Sequence, residues 1–144
     1  MTVRNTGRLI RKLQALPLDA RAGIGRALTV SVVEMDAHAK TRIQGGGRSG
    51  RTYRRRGVTH QASAPGEFPK TDRGQLVASL FFRVGGDRLS AMFGTALLYG
   101  RYLEYGTSRM AARPWLRPTF RTLEPQARQR IRDAVQAALR AARG

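Results

Sequence analysis

Cysteine is missing from this chain altogether, and histidine is nearly so, with only His38 and His60. The first absence excludes disulfide staples. Together the two leave too few thiolate or imidazole ligands for a zinc or iron centre, so no metal and no cofactor is expected. Acidic residues are scarce as well: the nine Asp and Glu are scattered, and no carboxylate pair or cluster of the kind used by glycosidases or calcium sites stands out. No apolar run approaches the roughly 18 residues needed to cross a bilayer. Charges at Arg4, Arg8, Arg11 and Lys12 break up any leader-like apolar block near the start. These patterns predict a soluble product made in the cytoplasm, with no membrane partner.

What the chain has in excess is positive charge. Against nine acids stand 27 Lys and Arg, nearly all arginine, for a formal net charge of +18. Such a surface attracts polyanions and repels its own copies at low salt. Outside the one dense cluster described below, an arginine-rich coding bias that merely solvates helix faces explains the cations equally well. The 144 residues suffice for a single domain over 1–144, with a loose insertion at 45–69.

The apolar period predicts an α+β fold: amphipathic N-terminal helices, a short antiparallel β-hairpin or small sheet, and a long C-terminal helix. Leu9, Ile10, Leu13 and Leu16 are at helical spacing, with Asn5 or Thr6 as cap and Pro17 as stop. After Asp19, which suits an N-cap or first turn, Ile24, Ala27, Leu28, Ser31, Val32, Met35, Ala39 and Ile43 continue the period to about Gln44. Arg21, Arg26, Glu34 and Lys40 form that helix's outward face. Thr71 and Asp72 are placed to cap a short helix carrying Leu76, Val77 and Leu80. The pattern then changes to alternation around Gly85-Gly86-Asp87, and Phe82, Val84, Leu89, Ala91 and Phe93 predict the hairpin. Tyr99, Tyr102, Leu103 and Tyr105 fit a short helix closed by a left-handed Gly106. From Pro114 and Pro118 onward, Phe120, Leu123, Ala127, Ile131, Val135 and Leu139 trace the last helix, where Pro125 either kinks the helix or marks its start.

Between 45 and 69 the period vanishes into glycine, arginine and two prolines, which predicts an extended flexible arm without regular structure. Gly45, Gly47 and Gly50 match a dinucleotide-binding glycine pattern, but they follow a helix and open an arginine cluster, which is the wrong context. A hinge that frees the arm suits them better. His60, Ser63 and Asp72 could be combined on paper into a hydrolytic triad, yet nothing in the sequence holds them within hydrogen-bond reach. His38 reads as a boundary or solvent histidine. No catalytic residues are therefore assigned. The cluster Arg48, Arg51, Tyr53, Arg54, Arg55 and Arg56 differs in kind: five guanidiniums within nine residues, with an aromatic between them, suit phosphate contact with optional stacking. The plain alternative is a solvated, self-repelling loop.

Two stretches together resemble the neck and tail-completion proteins of long-tailed bacteriophages. HQASAPGEFPKTDRGQLVASL, at 60–80, resembles that family's Ser-Ala-Pro-Gly-Glu-x-Pro loop leading into an Asp-x-Gly-x-Leu-x-x-Ser helix start. YGRYLEYGTSRMAARPWLRPTF, at 99–120, resembles its Tyr-x-x-Tyr-Leu-Glu-x-Gly-Thr and Met-x-Ala-Arg-Pro-aromatic-Leu-x-Pro signature. The arginine arm departs from the family pattern. The resemblance implies a non-enzymatic, homo-oligomeric ring subunit of the virion neck, assembled in the host cytoplasm between the head-closure (connector) and tail-terminator proteins, with dsDNA in its lumen. Tyr99, Tyr102, Glu104, Gly106, Thr107, Arg113, Pro114, Trp115, Leu116 and Pro118 would then form a packing and intersubunit block, with Glu104 paired to Arg113 or Arg109. If about six copies each aimed five arginines inward, some thirty charges would match about 50 Å of duplex, a strong grip for a conduit. The arm is accordingly expected on acidic surfaces of neighbouring rings, with DNA contact secondary. A free-standing basic nucleic-acid-binding protein is the alternative reading.

Overall fold

The structure, a computed structural model, describes residues 6–143. In chain order it contains α1 (Thr6–Gln14), α2 (Ala22–Gly45), β1 (Thr52–Arg55), β2 (Val58–Gln61), α3 (Gln75–Ser79), β3 (Leu80–Val84), β4 (Ala91–Thr95), α4 (Leu98–Tyr105) and α5 (Leu116–Ala141). The strands form two separate two-stranded sheets, β1-β2 and β3-β4. The fold is α+β, as the periodicities predict.

The chain divides into two compact units. Of the described residues, one is drawn from 6–33, 82–92 and 124–143, the other from 34–81 and 93–123. In the first unit Leu16, Ile24 and Ala138 are buried, with Leu13, Ala20, Leu28, Leu89, Ala134 and Val135 packed around them. Leu9 and Ile10, read as part of the same stripe, are exposed instead. Arg21 is not on the outward face of α2 but precedes it, and its guanidinium takes carbonyls at the end of α1. It donates from Nε to Leu16 O at 2.8 Å, and from Nη2 to Gln14 O. A cation on a helix's orphan carbonyls is favourable on both hydrogen-bond and dipole grounds. Asp19 sits in the intervening turn rather than at the α2 cap, its carbonyl accepting the Ala22 amide. Of the two proposed caps for α1, Thr6 is its first residue and Asn5 lies outside the described residues.

The second unit buries Met35, Ala39, Ile43, Leu76, Leu80, Phe93, Leu103 and Trp115. Phe93 and Trp115 meet edge to face at 6.0 Å. α3 starts at Gln75, later than the Thr71-Asp72 cap implies. Its N-cap is Gly74 in the left-handed region, and the Thr71 hydroxyl accepts the Gly74 amide at 2.8 Å. Leu80 leaves the helix to begin β3 while staying buried. Pro125 lies inside α5, which neither starts nor ends there.

The largest departure from the sequence reading is at 45–69. The stretch read as structureless contains the antiparallel hairpin β1-β2, in register Thr52↔Gln61, Tyr53↔His60, Arg54↔Thr59 and Arg55↔Val58. Nor are Gly47 and Gly50 placed as free hinges. A Cβ on Gly47 would fall 2.5 Å from Glu67 Cβ, and one on Gly50 would fall 2.5 Å from Ser63 O, so these glycines let 46–50 lie directly against 62–70. The Gly47 amide donates to Phe68 O, while Gly50 and Ala62 continue the ladder below the strands through Gly50 N–H to Ala62 O and Ala62 N–H to Arg51 O.

Candidate interface: the aromatic helix and the arginine ribbon

The Tyr99–Phe120 block is built around one buried carboxylate. α4 turns Gly100, Leu103 and Glu104 inward, residues spaced three and four apart and so on one face. Glu104 Oε2 accepts the amides of Trp115 and Leu116, both at 2.8 Å, and Oε1 accepts that of Arg117 at 3.0 Å. The next residue is Pro118, which has no amide, so the first turn of α5 is fully satisfied by one side chain from another helix. Glu104 therefore pairs with a helix N-terminus rather than with Arg113 or Arg109, and its nearest guanidinium is Arg117 Nε at 3.9 Å. Trp115 closes the corner, its indole N–H donating to Gly100 O at 2.9 Å. A Cβ on Gly100 would lie 2.4 Å from Thr95 Cγ2, which is why α4 comes this close only with glycine there. Thr119, fully buried, donates to Trp115 O.

Gly106 ends α4 at φ 75°, ψ 179°, a region open to glycine but different from the left-handed cap its position suggests. A Cβ there would sit 2.8 Å from Met110 O. Thr107 and Met110 pair across the bridge that follows, and the backbone of Arg113 returns to Leu103 O at 2.7 Å. Arg113, flanked by a half-buried Pro114, donates from Nε to Ser63 O at 2.9 Å, and the Gly66 amide donates to Ala112 O at 2.9 Å. The two motif stretches are thus in direct contact.

The rest of the block does not bury. Leu97, Leu98, Tyr99, Tyr102 and Tyr105 are all exposed, Tyr105 at 66 % and Leu98 at 59 %, as is Phe120, while Leu116 is half-buried. Leu98, Tyr102 and Tyr105 lie on the face of α4 opposite Glu104. The guanidinium of Arg117 lies 5.8 Å from the Tyr105 ring. A cavity of about 270 Å³ beside α4 is lined by Ile43, Lys70, Asp72, Leu76, Tyr99 and Leu103.

β1-β2 is a ribbon with a pinned inner face. Arg56 and Gly57, at φ 49° and 80°, form its two-residue turn. Tyr53 stacks on His60 at 5.5 Å, and Arg55 Nη1 meets Asp72 Oδ2 at 2.7 Å, with His60 Nδ1 4.0 Å from Asp72 Oδ1. Among the described residues Arg55 alone of the five clustered arginines has a carboxylate partner. Arg54 lies on the opposite face, Arg56 at the tip, and Arg48 and Arg51 beside the root, all exposed. At the root, Glu67 accepts the Ser49 hydroxyl and the Ala64 amide, and these hydrogen bonds hold its carboxyl below the ordinary range.

The paper triad gains proximity but not connectivity: Ser63 is buried, its hydroxyl accepts the Lys70 amide at 3.4 Å, and it has no hydrogen bond to His60. His38, read as a solvent or boundary residue, is half-buried edge-on to Phe68. Burial, then Arg42, lowers its pKa. The ribbon itself and Asp72 as its anchor escaped the sequence reading. The available signal was an X-Gly pair flanked by Thr-Tyr and Val-Thr, which are strand-forming residues.

No protein-family model, curated protein or solved structure matches the chain. No helix among the described residues is long and apolar enough to cross a membrane.

Proposed function

We propose that the protein is a structural, non-enzymatic subunit of a tailed-phage neck, a tail-completion protein that closes into a homo-oligomeric ring in the virion between head-closure and tail-terminator rings. One observation carries the reading beyond the motif resemblance. The two motif stretches pack on each other and lock α4 from its inner side, while the outer side of α4 exposes large apolar and aromatic side chains beside Arg101 and Arg117. A patch of Leu98, Tyr102 and Tyr105 has the aromatic character of a protein interface. Its occupant is a second copy. With a net charge of +18, copies repel through their arginine-bearing faces, and a face with an apolar centre, edged by Arg101 and Arg117, is where they approach at lower cost. A copy whose α4 seats on a different surface of its neighbour makes a head-to-tail contact, the kind that closes into rings.

The test is the mass of the purified protein, alone and mixed with head particles lacking tails, at low and high salt. Stoichiometric rings on heads are expected, and Leu98→Asp combined with Tyr102→Asp should abolish them while leaving the thermal melting point within a few degrees. A chain that ignores heads at both salt concentrations overturns the reading. If such a chain also captures DNA as a monomer in a salt-sensitive way, the free-standing nucleic-acid-binding alternative takes its place.

A further inference from the structure

We infer that the β1-β2 ribbon is a duplex-DNA contact element that grips phosphates from within the major groove without reading sequence. The inference concerns the ribbon and stands whether or not copies form a ring. Residues 48–61 contain five arginines and no acid, and one of the five, Arg55, is withdrawn to anchor the ribbon on Asp72. The remaining Arg48, Arg51, Arg54 and Arg56 are exposed along the root, the far face and the tip. With its two paired strands about 4.8 Å apart, the ribbon is slim enough to enter a major groove about 12 Å wide.

The arrangement favours phosphate over an acidic protein surface. Four separate guanidiniums spread over the root, the far face and the tip of a thin ribbon suit a regular array of phosphates on either side of it better than one flat protein surface. The ribbon is also held before it meets its ligand. The Tyr53–His60 stack, the Arg55–Asp72 pair and the close approach of Gly47 and Gly50 to 62–70 remove much of the ordering cost that a disordered arm would bear. Contacts confined to phosphates also let a protein slide along the duplex, so the strength of the grip no longer argues against DNA in a conduit.

The experiment titrates the full chain with a mixed-sequence duplex of about 20 base pairs over a range of salt, against two variants of equal charge. One replaces Arg48, Arg51, Arg54 and Arg56 with serine. The other replaces Arg121, Arg132, Arg140 and Arg143, exposed residues on or just beyond α5. Four lost phosphate contacts at about 0.9 each should make the slope of log affinity against log salt shallower by about 3.6 in the ribbon variant, with an affinity loss of about 100-fold near 50 mM salt. The α5 variant should lose less than about a tenth of that factor. Arginine-specific footprinting of the unaltered chain should show the four ribbon guanidiniums protected by duplex, a readout that needs no variant to fold. Equal losses in the two variants, or an unprotected ribbon, overturn the inference. So does ribbon-dependent capture of polyglutamate as tight as that of duplex, which assigns the ribbon to acidic protein instead. Ring formation on heads is scored separately, so failure here and failure of the neck reading are distinguishable.

Discussion

Glu104 shows how one residue can hold together a whole corner of a small protein. Its carboxylate is removed from water, a cost offset by three amide hydrogen bonds and by the positive end of a 26-residue helix. Removing it leaves three buried or half-buried amides without acceptors. Glu104→Ala should therefore lower the unfolding free energy by about 2–3 kcal/mol, and Glu104→Gln, which keeps one acceptor oxygen, by about half as much. Urea denaturation with fluorescence of Trp115, the single tryptophan, reads the change directly. An unchanged midpoint for the alanine variant would mean that water replaces the carboxylate at no cost.

The β1-β2 hairpin is held by its turn and by its anchor. Both turn residues have positive φ, the signature of the hairpin-closing turn whose twist matches that of the strands. Glycine meets that demand at position 57, whereas arginine at 56 bears a left-handed conformation that costs about 1 kcal/mol. Arg56→Asn should leave the ribbon as stable or slightly more so, and Arg56→Val should weaken it by about 1 kcal/mol. Hydrogen-exchange protection of the Ala62 amide, which donates to Arg51 O across the root, is the measurement. Equal protection in all three proteins would show that the Asp72 anchor alone sets the geometry. Close approach also sets α4 and the 106–113 turn: Gly100 and Gly106 occupy places where a methyl group would meet neighbouring atoms.

For the molecule as a whole, acid should be destabilising in two steps. The fold lowers the pKa of His38 from its ordinary 6.5, chiefly through burial, so below that value the unfolded chain takes up the proton first and stability declines until the folded histidine is also protonated. Glu67 is depressed from 4.5 by its hydrogen bonds to Ser49 and Ala64, so its contribution is present above that value and is lost as pH falls through the depressed one. Calorimetric melting from pH 8 to pH 3 should show both declines. His38→Gln should remove the first, and Glu67→Gln the second. If both variants retain the parent profile, the acid response arises elsewhere.

Helical periodicity by itself determined α2 and α5, whose apolar spacing records a buried face, and the change to alternation determined the β3-β4 hairpin, although Phe82 is exposed there; the glycine at 106 marked where α4 ends but not its backbone conformation. Composition determined the excess of positive charge and the absence of disulfides. The β1-β2 ribbon was not legible in this way. Both its faces are exposed, so its strands carry no apolar alternation, and its register depends on a left-handed Arg-Gly turn and on Asp72, which lies 17 residues from its partner Arg55. The partner of Glu104 was equally hidden. A carboxylate among many arginines suggests an ion pair, but only the meeting of α4 with the start of α5 shows that backbone amides take it. Local pattern encodes which residues face inward. Which polar groups answer one another across the chain is decided by tertiary packing, since a hydrogen bond depends on where the folded backbone brings its donor and acceptor.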